Sequence, residues 1–306
     1  MRMIAMVTID SINTITNMSC NNKPIACVNP GELLIVNTLD CFSNKIKNEH
    51  QLLKDIPWTE INPATGPIYV DGAEAGDVLR ISIIDIRVNQ KAVVLCESED
   101  LDRYECKGNE SSLFVDIANG NAIITDDISI QCIPMIGVIG TAPEKGDIPT
   151  TLPGFHGGNM DNTHIKKGSE VFLPVFHKGA LLALGDLHAV MGDGESTGSG
   201  LEIGGEVSLR IDVIKNCNMP LPMVKTNTSI ETVASAESLD AASVMAVKNM
   251  LQYLTTYLGI EMQIAWKMVS ACGDVGICQF ANAIKTARCC LPIQYVQAFA
   301  DKNQVN

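Results

Sequence analysis

Residues 204–215, GGEVSLRIDVIK, alternate with a period of two: Val207, Leu209, Ile211 and Val213 stand against Glu206, Ser208, Arg210 and Asp212. That period puts one set on each face of an extended chain, so the segment predicts a half-buried antiparallel strand. Residues 78–88, VLRISIIDIRV, carry the same signal, with Leu79, Ile81, Ile83 and Asp85 on one side. Residues 32–39, 121–130 and 170–175 predict further strands. The apolar run 180–184 predicts a short buried one. Gly and Pro punctuate the gaps, and this rhythm fits a β-sandwich better than a βαβ repeat.

The period changes after about residue 216. Residues 238–258 predict a helix, with Ser238 as N-cap and Asp240 in the first turn. Val247, Met250, Leu251, Leu254 and Leu258 form its apolar stripe, and Gly259 is the expected stop. A second helix is expected over 261–270, ending near Gly273. The closing DKNQVN is expected to fray. The fold expected is mainly β and sandwich-like. Residues 1–215 form the β domain that carries the site, and a smaller C-terminal α/β part, 216–306, packs against it.

Composition narrows the function. At 306 residues, with 46% hydrophobic and 19% charged positions, the chain can bury a sizeable core. A net charge of -13, with no Lys/Arg cluster beyond Lys166-Lys167, argues against a nucleic-acid partner. No apolar stretch approaches the roughly 20 residues of a membrane span. The opening MRMIAMVTIDSINTI lacks the pattern of a secretory signal. With 11 cysteines and no CxxC pair, the chain is expected to hold reduced thiols in a cytoplasm rather than a cysteine zinc ribbon.

The chemistry concentrates in residues 179–205, GALLALGDLHAVMGDGESTGSGLEIGG, which gather Asp186, His188, Asp193, Glu195 and Glu202 among glycines. Asp186 and His188 are two apart, a spacing that on an extended chain turns both toward one divalent cation. Glu195 lies past Gly192 and Gly194, so the loop can fold it back as a general base. In 153–162, PGFHGGNMDN, the Gly157-Gly158 pair permits close main-chain approach to a ligand, and His156, Asn159 and Asp161 project from the loop. Asp71, Glu74 and Asp77 in 62–77 read as turn carboxylates that cap backbone N–H groups. Residues 270–279, SACGDVGICQ, form a turn against these or line a pocket mouth. His50, His164 and His177 have no convincing neighbours in the sequence and read as surface or core residues. Cys41 reads as an inert buried thiol. No GxSxG elbow and no GxxxxGK[ST] loop occurs.

Together, LDCFSN at 39–44, NPATGPIYVDGAEAGDVL at 62–79, HGGNMDN at 156–162, GALLALGDLHAVMGDGE at 179–195 and SACGDVGICQ at 270–279 resemble the acetamidase/formamidase family. The pieces stand in the family's order and span most of the chain. The resemblance implies hydrolysis of short linear amides to a carboxylate and ammonia, a mainly β fold and homo-oligomers. Ala75 stands where the family usually carries proline, and TARCCL at 286–291 is less typical.

Residue chemistry adds a mechanism to that expectation. Asp161, Asp186 and His188 hold a divalent cation, zinc by preference with calcium as the alternative. Glu195 takes a proton from water. Asn159 or a backbone N–H of Gly157-Gly158 holds the oxyanion, and His156 serves as a second acid or a fourth ligand. The competing expectation is a non-catalytic, metal-bound β-sandwich module that binds small ligands.

Overall fold

The computed structural model describes residues 6–297, so the closing DKNQVN lies outside the described residues. The strictly alternating segment becomes the strand Gly205–Ile214. It pairs antiparallel with Leu33–Thr38 on one side and Val78–Val88 on the other. These three sit in a nine-stranded sheet. A twelve-stranded sheet contains Met135–Gly140, Leu182–His188, Glu202–Ile203 and Ala64–Val70. Val36, Ile81 and Leu209 from the first sheet and Ile136, Ile139 and Leu184 from the second share one apolar core. The fold is mainly β, with a small helical part, and the two-sheet arrangement follows from burying one face of each sheet.

Local departures from the sequence reading have identifiable causes. Along Val78–Val88, Leu79, Ile81 and Ile83 point inward as expected, but Asp85 does not, and Ile86 takes its place. The pairing with Gly205–Ile214 shifts register between Ser208 and Leu209, which leaves Ile84 as an extra residue. A bulge of one residue flips every later side chain to the other face. Residues 121–130 form not one strand but part of a hairpin, Asn121–Thr125 and Ile128–Gln131. The Thr125 hydroxyl accepts from the N–H groups of Asp127 and Ile128 and closes the turn. The run at 180–184 begins its strand late, at Leu182, because Ala180 and Leu181 hold φ of 58° and 57°.

The C-terminal strands Met223–Lys225, Ser229–Ala236, Lys285–Pro292 and Asp274–Gln279 extend the nine-stranded sheet in that order. The helix Leu239–Gln252 covers them, continues as a wider turn over Tyr253–Tyr257, and stops at Gly259, where φ is 71°. The Ser238 hydroxyl caps it by accepting from Ala241 N–H at 3.2 Å. Of the predicted stripe, Met250, Leu254 and Leu258 are buried, joined by Ala242 and Ala246, while Val247 and Leu251 are half-buried. The second helix spans Met262–Cys272.

Candidate active site

The strand Leu182–His188 is buried along its whole length and ends in two candidate site residues, Asp186 and His188. His188 lies directly opposite Glu202 on the neighbouring strand, and Met135–Gly140 runs along its other side. Asp161 arrives from the turn after the strand Gly157–Asn159, with φ of 47°. Donor atoms of Asp161, Asp186 and His188 all lie within 4.8 Å of one another, as do those of His188, Glu195 and Glu202. Gly137 makes this convergence possible. A Cβ there would stand 2.6 Å from Asp161 Oδ1 and 2.8 Å from Asp186 Oδ2. Gly200 similarly clears the His188 ring, 2.8 Å from where its Cβ would be.

The cluster is buried and poorly satisfied. His188 Nε2 stands 3.2 Å from Glu202 Oε2 and 3.5 Å from Asp186 Oδ1. Those contacts attract but are not aligned as hydrogen bonds. Both Asp161 oxygens, both His188 nitrogens and Glu202 Oε2 have no hydrogen-bond partner among the described residues. Only the outer atoms are fixed: Asn62 Nδ2 donates to Asp186 Oδ2 at 3.1 Å, and Gly200 N–H donates to Glu202 Oε1 at 2.8 Å.

Burial pushes Asp161 up to about 8, helped by the nearby Asp186 carboxylate. Burial and Asp161 together hold Glu195 well above the usual carboxylate range, and burial raises Glu202. Burial pulls His188 down, but Glu202 and Asp186 more than reverse it, so its imidazole is held well above the ordinary value. Orphaned buried acids that repel one another are costly unless a cation sits among them. The donor set, one imidazole and several carboxylates, fits a divalent metal ion.

The other predicted residues are distributed unevenly. Asn159 is buried beside the cluster. Its Nδ2 donates to Thr151 C=O at 3.3 Å and its Oδ1 is unpartnered. His156 is also buried, with both ring nitrogens unpartnered, but it lines a separate cavity with Phe155 and Phe176. Its pKa is driven down to about 4 by burial. Gly157 and Gly158 serve strand packing, since Gly157–Asn159 pairs with strands on both sides. A Cβ on Gly158 would run into Leu152 C=O, and one on Gly157 into Ile139 C=O. Their main chain is committed to ladders, so the segment expected as a loop at a ligand is instead a short strand.

Glu202, grouped with these residues in the sequence but given no role there, belongs with the cluster through its cross-strand position opposite His188. His164 has a strong neighbour after all: its Nδ1 lies 2.6 Å from Glu231 Oε1, with Cys290 close by. His177 Nε2 meets Pro143 C=O at 2.9 Å. Asp193 forms an ion pair with buried Arg288 and accepts from the Thr163 hydroxyl at 2.6 Å. The segment at 270–279 stitches the site loop down: Gly194 N–H donates to Cys278 C=O at 2.9 Å, and Phe280 N–H donates to Gly194 C=O at 3.0 Å. Asp274 itself is exposed. Asp77 caps Glu74 and Asn216 N–H groups, as a turn carboxylate should. Cys41 touches the cluster, but burial and the surrounding carboxylates push its thiol far up, so it stays protonated and unreactive.

The cluster opens into a cleft of about 660 Å³ lined by Asn159, Asp186, Glu195 and Glu202 at its polar end. The family model described as "Acetamidase/Formamidase family" matches residues 20–149 and 145–290. The chain belongs to the acetamidase/formamidase family. It is 42% identical to an acetamidase from Bacillus halodurans of known crystal structure, covering 96% of this chain and 99% of that one, with a TM-score of 0.93. It is 27% identical over 251 residues to a formamidase from Methylophilus methylotrophus, covering 63% of this chain and 62% of that one. An acetamidase from Mycolicibacterium smegmatis is 27% identical over 256 residues, covering 62% and 63%. The chain thus spans about three fifths of the length of these curated relatives.

Proposed function

We propose that this protein hydrolyses linear amides to a carboxylate and ammonia. The observation that carries the reading is the buried Asp161–Asp186–His188–Glu195–Glu202 cluster at the floor of the cleft, with Asp161, His188 and Glu202 carrying unpartnered atoms, on a chain of the acetamidase/formamidase family. Asp161, Asp186 and His188 would hold a divalent cation, with Glu202 close enough to join them. The imidazole favours zinc, with calcium as the alternative. Such a cation supplies Lewis acidity and lowers the pKa of water at neutral pH.

The chain's own residues do the rest. Glu195 takes the proton of the attacking water, holds it on its carboxyl, and returns it to the leaving nitrogen. Burial and Asp161 raise its proton affinity in the cation-free cluster, and a cation beside it would favour the ionised form that the first step needs. Asn159 has a spare Nδ2 hydrogen to donate to the developing oxyanion. Asn62 fixes the orientation of Asp186. His156 is a less suitable acid, since it faces another cavity.

The test is ammonia release from formamide and acetamide, before and after chelator treatment. Release that stops and returns with zinc supports the reading. Release unaffected in protein shown to be metal-free overturns the metal, though not the amidase. A chelator-sensitive stability change with no turnover of any amide would favour the non-catalytic binding module instead.

Three further expectations stand as proposals. No helix among the described residues is long and apolar enough to cross a membrane, and all 11 cysteines are free, which supports a cytoplasmic setting. Leu113, Ile123, Ile128 and Ile130 are exposed on one edge of the twelve-stranded sheet, which supports a homo-oligomer. The division into 1–215 and 216–306 draws support from the second apolar cluster beneath the helix Leu239–Gln252, although Val78 and Phe172 join that cluster too.

A further inference from the structure

The cleft is large for the smallest amides. Its volume, about 660 Å³, lies within the range of roughly 300–1,000 Å³ that takes drug-sized ligands. Above the polar floor one part of its wall is apolar: Phe42, Ile56, Ile61 and Leu95, each under a tenth exposed, with Trp58 at the rim. Phe42, Ile56, Ile61 and Leu95 belong to a separate hydrophobic cluster, distinct from the core shared by the two sheets. Trp58 is 67% exposed and has no place in that packing. Formamide has nothing to bury against such a wall, and acetamide has one methyl group.

We propose that the amide taken by this site carries an unbranched apolar acyl chain, butyryl to octanoyl, lodged against the Phe42–Ile56–Leu95 wall. This rests on the amidase reading above and names its substrate class. The reaction is unchanged: water adds its oxygen to the carbonyl carbon, the C–N bond breaks, and the nitrogen leaves with a proton as ammonia. The rim adds a charge preference. Lys54 pairs with Glu110, and Arg103 pairs with Asp100, which leaves Glu97 and Glu99 on the rim without a cationic partner among the described residues. A chain ending in a carboxylate would meet those acids, so a neutral end is favoured.

The test is a series of kcat/KM values for formamide, acetamide, butyramide, hexanamide and the monoamide of adipic acid, on the full-length, metal-replete protein. Hexanamide is expected to exceed acetamide by about tenfold or more, carried mainly by KM, because each buried methylene adds favourable transfer energy. The adipic monoamide is expected to fall below hexanamide. Leu95→Trp, which fills the wall, and Trp58→Ala, which strips the rim at an exposed position, should each lower the hexanamide-to-acetamide ratio by about threefold or more. Acetamide turnover with a flat or falling series overturns this inference and leaves the amidase reading standing. A rising series whose ratio neither variant moves overturns the assignment to this wall. No turnover of any amide sinks the amidase reading, and this inference with it.

Discussion

Two buried polar clusters sit side by side in this protein, and one short segment feeds both. Asp161 enters the cluster with Asp186, His188, Glu195 and Glu202, while Asn162 and His164 enter another with Glu231 and Arg288. The second is complete. Glu231 accepts from Ser229 Oγ at 2.7 Å, lies 2.6 Å from His164 Nδ1, and meets Asn162 Nδ2 at 3.4 Å. Arg288 holds Asp193 with both terminal nitrogens, and only its Nε lacks a partner. Burial pushes Glu231 up, but His164 pulls it below its ordinary value. In the first cluster the same burial wins for Asp161, Glu195 and Glu202, which stay high. Glu231 and Glu202 lie at similar depth, yet they differ in whether their charge is matched. A matched network fastens the fold, whereas an unmatched one suits the cation proposed for the cleft.

The comparison is tested most strongly by Glu195→Gln. If the first cluster is catalytic, this variant should lose about 10²–10⁴-fold in kcat for amide hydrolysis while keeping its metal content. Ammonia assays paired with metal analysis would check it. Near-normal turnover would remove Glu195 as the base. By contrast, Glu231→Gln should leave the metal content alone.

Arg288→Met comes next and should act on stability. Removing the guanidinium leaves Asp193 unpaired and loosens the loop that carries Glu195. The expected loss is about 2–3 kcal/mol, below that of a fully buried pair because Asp193 is half exposed. Denaturant unfolding would measure it. A loss well under about 1 kcal/mol would mean the second cluster is not a fastener.

A smaller effect carries a pH signature. The Glu231 pKa is lower in the folded protein than its ordinary value of 4.5. A depressed folded pKa stabilises fully above the unfolded value and loses that contribution as pH falls through the folded one. Glu231→Gln should therefore cost about 1–2 kcal/mol at pH 7, and the gap to the parent protein should close in acid, below pH 4.5. A gap independent of pH would assign the loss to packing instead.

Much of this arrangement was legible along the chain, but not its meeting points. The pair Asp186 and His188 stood out because two carboxylate and imidazole positions closed an apolar run. Yet Asp186 has φ of 56°, so simple strand alternation does not explain why both face the cluster. Glu202 reaches His188 only through strand register, which no local spacing encodes. The role of Gly137 is a clearance for two distant carboxylates, visible only once three segments are folded together. The bulge at Ile84 is of the same kind: a single unpaired residue sends Asp85 outward against a clean alternating pattern. The fastening of the loop by Arg288 joins positions that no short motif connects.

The smallest expected effect has the opposite sign and divides the clusters most cleanly. In chelator-treated protein, Asp161 contributes two buried oxygens with no partner to a group of acids that repel one another. Asp161→Asn removes that potential charge and keeps the shape, so it should raise the melting temperature slightly, by up to about 1 kcal/mol in stability. With zinc restored the order should reverse, because a cation stabilises only the protein that holds it, and the variant has one ligand fewer. Thermal melts of both proteins, with chelator and with zinc, would read the crossing. A variant less stable than the parent under both conditions would mean that Asp161 is tied into the fold as Glu231 is, and the contrast between the two clusters would be lost.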